Sequence, residues 1–115
     1  MPTLSPFERK RVSLLMERYC SNRTVLADTP KIRYTFTIRG TFVTLMEVRL
    51  HWRQPNQSTS SKIAQFRRSP RSSFWTLHCR DNRGHWHLFE PATGSKRLDF
   101  LLQVVDDDST GIFYG

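Results

Sequence analysis

The stretch Lys31-Ile32-Arg33-Tyr34-Thr35-Phe36-Thr37-Ile38-Arg39-Gly40-Thr41 decides the fold. Ile32, Tyr34, Phe36 and Ile38 recur at every second position, with Arg33, Thr35, Thr37 and Arg39 between them. Successive side chains on a strand point to opposite faces, so this period predicts a β-strand with one buried and one wet face. Arg39-Gly40-Thr41 reads as a tight turn, and residues 42–52 read as a second strand rich in β-branched and aromatic side chains. There Val43 and Leu45 oppose Phe42, Met46 and Val48. Apolar groups on both sides predict a central position, or a helix on the second face. Downstream, residues 54–61 are polar and read as a mobile loop. Residues 62–68, 74–80 and 85–90 read as three more strands, broken by Ser69-Pro70-Arg71-Ser72 and by the hairpin turn Asp81-Asn82-Arg83-Gly84.

Helical spacing flanks this sheet on both sides. Ser5-Pro6-Phe7-Glu8 is a helix start, with Ser5 as cap, Pro6 in the first turn and Glu8 completing a capping box. Val12, Leu15, Met16 and Tyr19 follow at helical intervals, which predicts a helix over residues 6–20, with Asn22 and Asp28-Thr29-Pro30 in the loop after it. Near the other end Ser95 is a candidate N-cap for a second helix carrying Leu98, Leu101, Leu102 and Val105. Asp106, Asp107 and Asp108 close that helix against its own dipole and therefore need partners. The apolar end Ile112-Phe113-Tyr114 is expected to dock. The expected fold is α+β: an N-terminal helix, a five-stranded antiparallel β-meander and a C-terminal helix, forming a single domain over residues 1–115. Leu15, Tyr19, Leu98, Leu102 and Val105 are the expected packing contacts between helices and sheet.

The chain has 115 residues and a formal charge of +8. Residues 1–53 carry +6, residues 62–83 carry +5 and residues 84–115 carry −3. A basic body with an acidic tail attracts polyanions, nucleic acid first. The 2 cysteines, Cys20 and Cys79, make no disulfide framework, and a reduced, cytoplasmic setting is the expectation. No signal peptide and no membrane span is read from the sequence.

Several spaced pieces carry a resemblance. They are Glu47-x-Arg49-x-x-Trp52, Ile63-Ala64-x-Phe66-Arg67, Trp75-x-Leu77, Trp86-His87-x-Phe89-x-Pro91, and a closing Val105-Asp106-x-Asp108-x-x-Gly111-x-Phe113-x-Gly115. In order and spacing the chain resembles a family of short bacterial proteins known as domain of unknown function 3024. The Trp-His-x-aromatic-x-Pro piece and the closing Asp-x-Asp piece are the specific ones. Two positions depart from the pattern: Ser109 stands where Pro is expected, and His78 where Tyr is usual. The resemblance implies a compact α+β domain, and it implies no chemistry. Glu47, Arg49, Trp52, Trp75, Trp86, His87, Asp106 and Asp108 are its motif positions, without assigned roles.

Three function classes remain. A sheet that presents aromatics beside arginines is how single-strand binders work, and Arg33, Arg39, Arg67, Arg68 and Arg71 are the candidate phosphate contacts. The aromatics Trp75 and Trp86 serve either as stacking platform or as core, and core is the commoner fate of large aromatics on a small sheet. A homodimer is the second class, favoured if Val43, Leu45, Leu77 or Phe89 lies on an uncovered face. The third is a small enzyme using Glu47 and His87, which requires a buried carboxylate–imidazole pair in a cleft. His85, His87, His78 and Cys79 lack the spacing of a metal quartet, so neither metal nor cofactor is expected. Asp106 and Asp108 are expected to lock the chain end, by accepting backbone N–H groups or by pairing with Arg80 or Arg49.

Overall fold

The computed structural model describes residues 2–114 apart from Trp52, Pro55 and Thr93. Its elements run α1 (Pro6–Leu26), β1 (Ile32–Arg39), β2 (Phe42–Leu50), β3 (Ser58–Arg68), β4 (Trp75–Arg80), β5 (Trp86–Leu88) and α2 (Leu98–Asp107). The strands form one antiparallel sheet in the order β1-β2-β3-β4-β5, so the architecture is the expected α+β meander between two helices. No helix among the described residues is long and apolar enough to cross a membrane.

Both helices cover the same face of the sheet. The row Ile38–Val43–Phe66–Leu77 runs across β1 to β4 by direct cross-strand pairing. Val43, Phe66 and Leu77 in that row are fully buried, as are Met16 of α1 and Leu101 and Val105 of α2. Val12, Leu98 and Leu102 complete the helical side of the core. Leu15 and Tyr19 pack against it while half-buried. Gly40 makes the β1–β2 turn with φ +58, a conformation costly for any residue with a Cβ, and a Cβ there would also lie 3.0 Å from the Pro2 carbonyl oxygen.

Four local expectations are corrected. First, α1 does not stop at residue 20. It continues through Asn22 to Leu26, past the last apolar position that sequence spacing reveals. Tertiary bonds hold this weakly helical end: the Thr24 hydroxyl accepts from the Tyr34 backbone N–H at 2.9 Å, and Arg23 bonds Asp106 at 3.3 Å. Second, the polar stretch expected as loop to residue 61 is strand from Ser58 onward, its backbone paired with β2 from Leu50 to Glu47. Backbone pairing does not require apolar side chains. Third, Ser95 does not cap α2. Its backbone exchanges two hydrogen bonds with Trp75, at 2.7 and 3.0 Å, and Arg97 stands at the cap position without a side-chain cap bond. Fourth, the first-turn Glu8 gives only half a capping box. Its N–H donates to Ser5 Oγ at 3.2 Å, while its carboxylate pairs with Arg68 at 2.8 Å.

The two-sided apolar character of β2 belongs to a central strand. Val43 and Leu45 face the helices, and Phe42, Met46 and Val48 face away. Among the described residues no helix packs on that second face. The register with β3 shifts between Leu45 and Met46, leaving Ile63 as the extra residue of a β-bulge.

Candidate nucleic-acid interface on the uncovered sheet face

Strand alternation and register together determine which side chains share the uncovered face. Across its middle runs the row Thr37–Thr44–Gln65–His78–Leu88, one residue from each strand. Beside it lie the row Arg39–Phe42–Arg67–Thr76 and the pair Arg80–Trp86. Past the bulge, Thr35–Met46–Lys62 and Arg33–Val48–Ser60 continue the same face. Arg33, Arg39, Lys62, Arg67 and Arg80 are therefore its cations. Among the described residues Glu47 is the only carboxylate at a strand position, and it lies on the other face, paired with Tyr34.

A polar ladder supports this surface. Gln65 is buried; its Nε2 donates to Thr44 Oγ1 at 3.0 Å, and its Oε1 accepts from Arg67 Nε at 2.7 Å. The Arg67 guanidinium then lies over the Phe42 ring, 4.5 Å from its centroid. That stack fixes the cation on the face of the sheet, and partial burial holds the Arg67 pKa below its ordinary value. Thr76 hydrogen-bonds His78 Nε2 at 2.9 Å. Burial, and then the neighbouring Arg67 charge, pull the His78 imidazole down to about 4, so it stands neutral at physiological pH. Trp86 is half-buried beside Arg80, and Phe42 is 40% exposed. These two present the aromatic surface of the face.

The five arginines singled out in the sequence separate. Arg33, Arg39 and Arg67 share the uncovered face. Arg68 follows Arg67 directly, so its side chain points to the helical side, where it holds Glu8. Arg71 is exposed in the β3–β4 turn. Lys62, Arg80 and Phe42 join the face, and sequence reading missed them as a set. The signal was register, which the Ile63 bulge hides from simple alternation. Of the two aromatics left open, Trp75 is core at 4% exposure and Trp86 lies on the uncovered face. Val43, Leu45, Leu77 and Phe89 are all buried, so none supplies an exposed dimer patch. Trp52 lies outside the described residues.

Glu47 and His87 do not meet. Glu47 accepts from Tyr34 Oη at 3.1 Å and from Arg49 Nε, on the helical face. His87 is exposed, with Nε2 2.7 Å from Asp81 Oδ2 in the β4–β5 turn. That contact and two backbone N–H donors, from His85 and Arg83, draw the Asp81 carboxyl down to about 2. His85 Nδ1 is 3.8 Å from the same carboxylate. No group of three or more His, Cys, Asp or Glu side chains converges to hold a metal among the described residues.

The acidic end of α2 resolves residue by residue. Asp106 accepts from Arg23 and from Tyr19 Oη, at 3.3 and 3.2 Å, rather than from Arg80 or Arg49. Asp107 accepts from Gln103 Nε2 at 2.8 Å. Asp108 turns into the left-handed region at φ +44 and accepts the backbone N–H groups of Phe113 and Tyr114, at 3.0 and 2.7 Å. This carboxylate is the end lock. It brings Tyr114 against Tyr19, with hydroxyls 2.7 Å apart, and under the Arg23 guanidinium at 3.7 Å. Burial pushes the Tyr114 phenol up to about 12, and burial with the Tyr114 contact raises Tyr19 as well, so both stay protonated.

The profile of a family described as Domain of unknown function (DUF3024) matches residues 4–115. No curated protein and no solved structure matches the chain.

Proposed function

The chain belongs to the DUF3024 family, whose description assigns no chemistry, and on that footing we propose that it binds single-stranded nucleic acid on the uncovered face of its sheet. One observation carries this reading: that face bears Arg33, Arg39, Lys62, Arg67 and Arg80, with no strand carboxylate among them. Cations without counter-charges on a pleated surface suit a phosphate backbone, and each neutralised phosphate adds salt dependence. Phe42 and Trp86 add aromatic surface three strands apart, about 14 Å at the usual strand spacing. Stacking on them requires unpaired bases, which favours single strands over duplex. The neutral His78 and the Gln65–Thr44 ladder offer polar groups between the two aromatics. Sequence preference is weak in this reading, because backbone contact and stacking dominate it.

Fluorescence anisotropy of labelled single- and double-stranded DNA and RNA, at low and physiological salt, tests the proposal. Single strands are expected to bind tighter than duplex, with affinity falling steeply as salt rises. Arg33→Glu with Arg39→Glu is expected to weaken binding at least about tenfold. Phe42→Ala is expected to cost about 1–3 kcal/mol of affinity. Absence of binding at physiological salt, or indifference to the double reversal, overturns the reading.

A second reading is association of two copies through the same face. Exposed Leu50 and Leu88, at 40% and 49%, favour it together with Phe42. It predicts a dimer in sedimentation that high salt does not dissolve and that Leu88→Glu does.

A further inference from the structure

The helical side of the molecule carries a second surface of different character. Two cavities, of about 610 and 320 Å³, open between α1 and α2. Both are lined by Leu15, Arg18 and Asp99, so they are the two ends of one trench. Its α1 wall runs from Glu8 to Leu26, about 27 Å at the rise of an α-helix. The floor is apolar: Val12, Trp75, Leu98 and Leu102 are buried beneath it. On the α1 wall Leu14 and Leu26 are 56% and 71% exposed, large side chains that the fold itself leaves uncovered. The rim is basic. Arg11, Arg18 and Lys96 are exposed and have no carboxylate partner among the described residues. Arg11 lies over Phe7 at 5.9 Å and Lys96 over Phe74 at 5.7 Å, which leaves both free to take a counter-charge.

We propose that this trench docks an acidic amphipathic helix of a partner protein. The length and shape fit a helix laid in a groove by apolar anchors at i, i+3, i+4 and i+7. The charge argument comes from the molecule itself. The helix that α1 already holds is α2, whose apolar face is Leu98, Leu101, Leu102 and Val105 and whose outer positions include Asp99, Asp106 and Asp107. Asp106 is tied to α1 through Arg23 and Tyr19. The same α1 carries Arg18 and Arg11 without a carboxylate partner among the described residues, about one and three turns from Arg23 toward its N-terminus, so the basic wall extends beyond what α2 neutralises. A second copy of this chain fits poorly. Its exposed helix α1 is basic, with Arg9, Lys10, Arg11, Arg18 and Arg23 against Glu8 and Glu17, and it would meet like charge. Nucleic acid fits poorly too, because the floor is mainly aliphatic, Trp75 is buried, and Tyr19 in the lining is half-buried with its hydroxyl held by Asp106 and Tyr114.

The probe is a fluorescein-labelled synthetic helix of about fourteen residues, long enough for about 21 Å of trench. It carries leucine at i, i+3, i+4 and i+7 and glutamate elsewhere. A leucine-scrambled peptide and a lysine-for-glutamate peptide are the controls. The glutamate helix is expected to bind the full chain at least about tenfold tighter than either control. Amide shifts in NMR are expected at Leu14, Leu15, Arg18 and Leu98. Arg11→Glu with Arg18→Glu abolishes the preference for glutamate, and Leu14→Ala weakens binding severalfold. The three side chains are exposed, so unchanged thermal melting of each variant verifies the fold. Equal binding of the scrambled peptide, no binding, or binding unaffected by the reversal overturns the proposal. Displacement of the peptide by a single-stranded oligonucleotide also overturns it, since the trench would then be a nucleic-acid surface. The reading of the sheet face is tested by Arg33 and Arg39 and stands or falls separately.

Discussion

The two faces of this sheet are made from the same strands, yet they are held by different physics. On the covered face the side chains that matter are Val43, Leu45, Phe66 and Leu77, all fully buried and without polar atoms. On the uncovered face, one residue away along each strand, order comes from a ladder of hydrogen bonds from Thr44 through Gln65 to Arg67 and a cation stacked on Phe42. The first face supplies stability. The second presents charge in a fixed geometry. Burial area does not require particular directions, but the uncovered face needs each donor aimed, and Gln65 does the aiming.

The largest test of this contrast compares two phenylalanines on the row-and-register map. Phe66→Ala removes a fully buried ring and is expected to cost about 3–5 kcal/mol in urea unfolding. Phe42→Ala removes a ring that is 40% exposed on the other face and is expected to cost about 1 kcal/mol or less. Equal costs would mean that the uncovered face is covered in solution, by a second copy or another partner. Next in size is Gln65→Ala, which strands the Thr44 hydroxyl and the Arg67 Nε. A loss of about 1–3 kcal/mol is expected, together with weaker oligonucleotide binding as Arg67 loses its orientation. A loss of stability with binding unchanged would separate the ladder from the cation it is argued to aim.

A pH profile sharpens the comparison further. The His78 imidazole has an ordinary value of 6.5 and is pulled down to about 4 in the fold. The unfolded chain therefore takes up a proton as pH falls through 6.5, while the folded chain resists until about 4. This contribution to stability is complete above pH 6.5 and is lost progressively between 6.5 and 4. Because the ring is only partly buried, the expected amplitude is discounted to about 1 kcal/mol. His78→Gln is expected to flatten the stability profile in that window. Asp81, drawn down to about 2 from 3.8, titrates at lower pH and leaves its own signature below the window of His78. A profile that stays steep between pH 6.5 and 4 in the variant would move the effect to another group.

Much of the fold was legible because it rests on periodicity. Ile32 to Ile38 alternate, Leu98 to Val105 recur at helical spacing, and both elements stand where the pattern puts them. The elements that pattern missed are those whose reasons are tertiary. Ser58, Thr59, Ser60 and Ser61 have no apolar alternation, and they are strand because β2 offers its backbone. Residues Ser21 to Leu26 have little helical spacing, and Arg23 and Thr24 hold them through bonds to α2 and β1. The candidate site was half legible. Aromatics and arginines mark the sheet as soon as they are read, but membership of a face depends on register, and the bulge at Ile63 changes register midway along β3. One clue lay in plain view: Arg67 and Arg68 are consecutive on a strand and cannot share a face.

That adjacency gives the smallest expected effect and the cleanest separation of the two faces. Arg68 bonds Glu8 at 2.8 Å with 21% of its side chain exposed, pinning the first turn of α1 to the sheet. Arg67 lies on the opposite side, bonded to Gln65 and stacked on Phe42. Both carry one positive charge, and removing either lowers the net charge equally, so any effect of total charge on polyanion binding is the same for both. Arg68→Ala is expected to cost about 0.5–1 kcal/mol of stability, the range of a partly exposed ion pair, and to change oligonucleotide affinity only through net charge. Arg67→Ala is expected to weaken oligonucleotide binding beyond that common amount and to reduce its salt slope by about one contact. If the two variants bind alike, phosphate attraction is a property of the whole basic body, and the uncovered face has no special part in it.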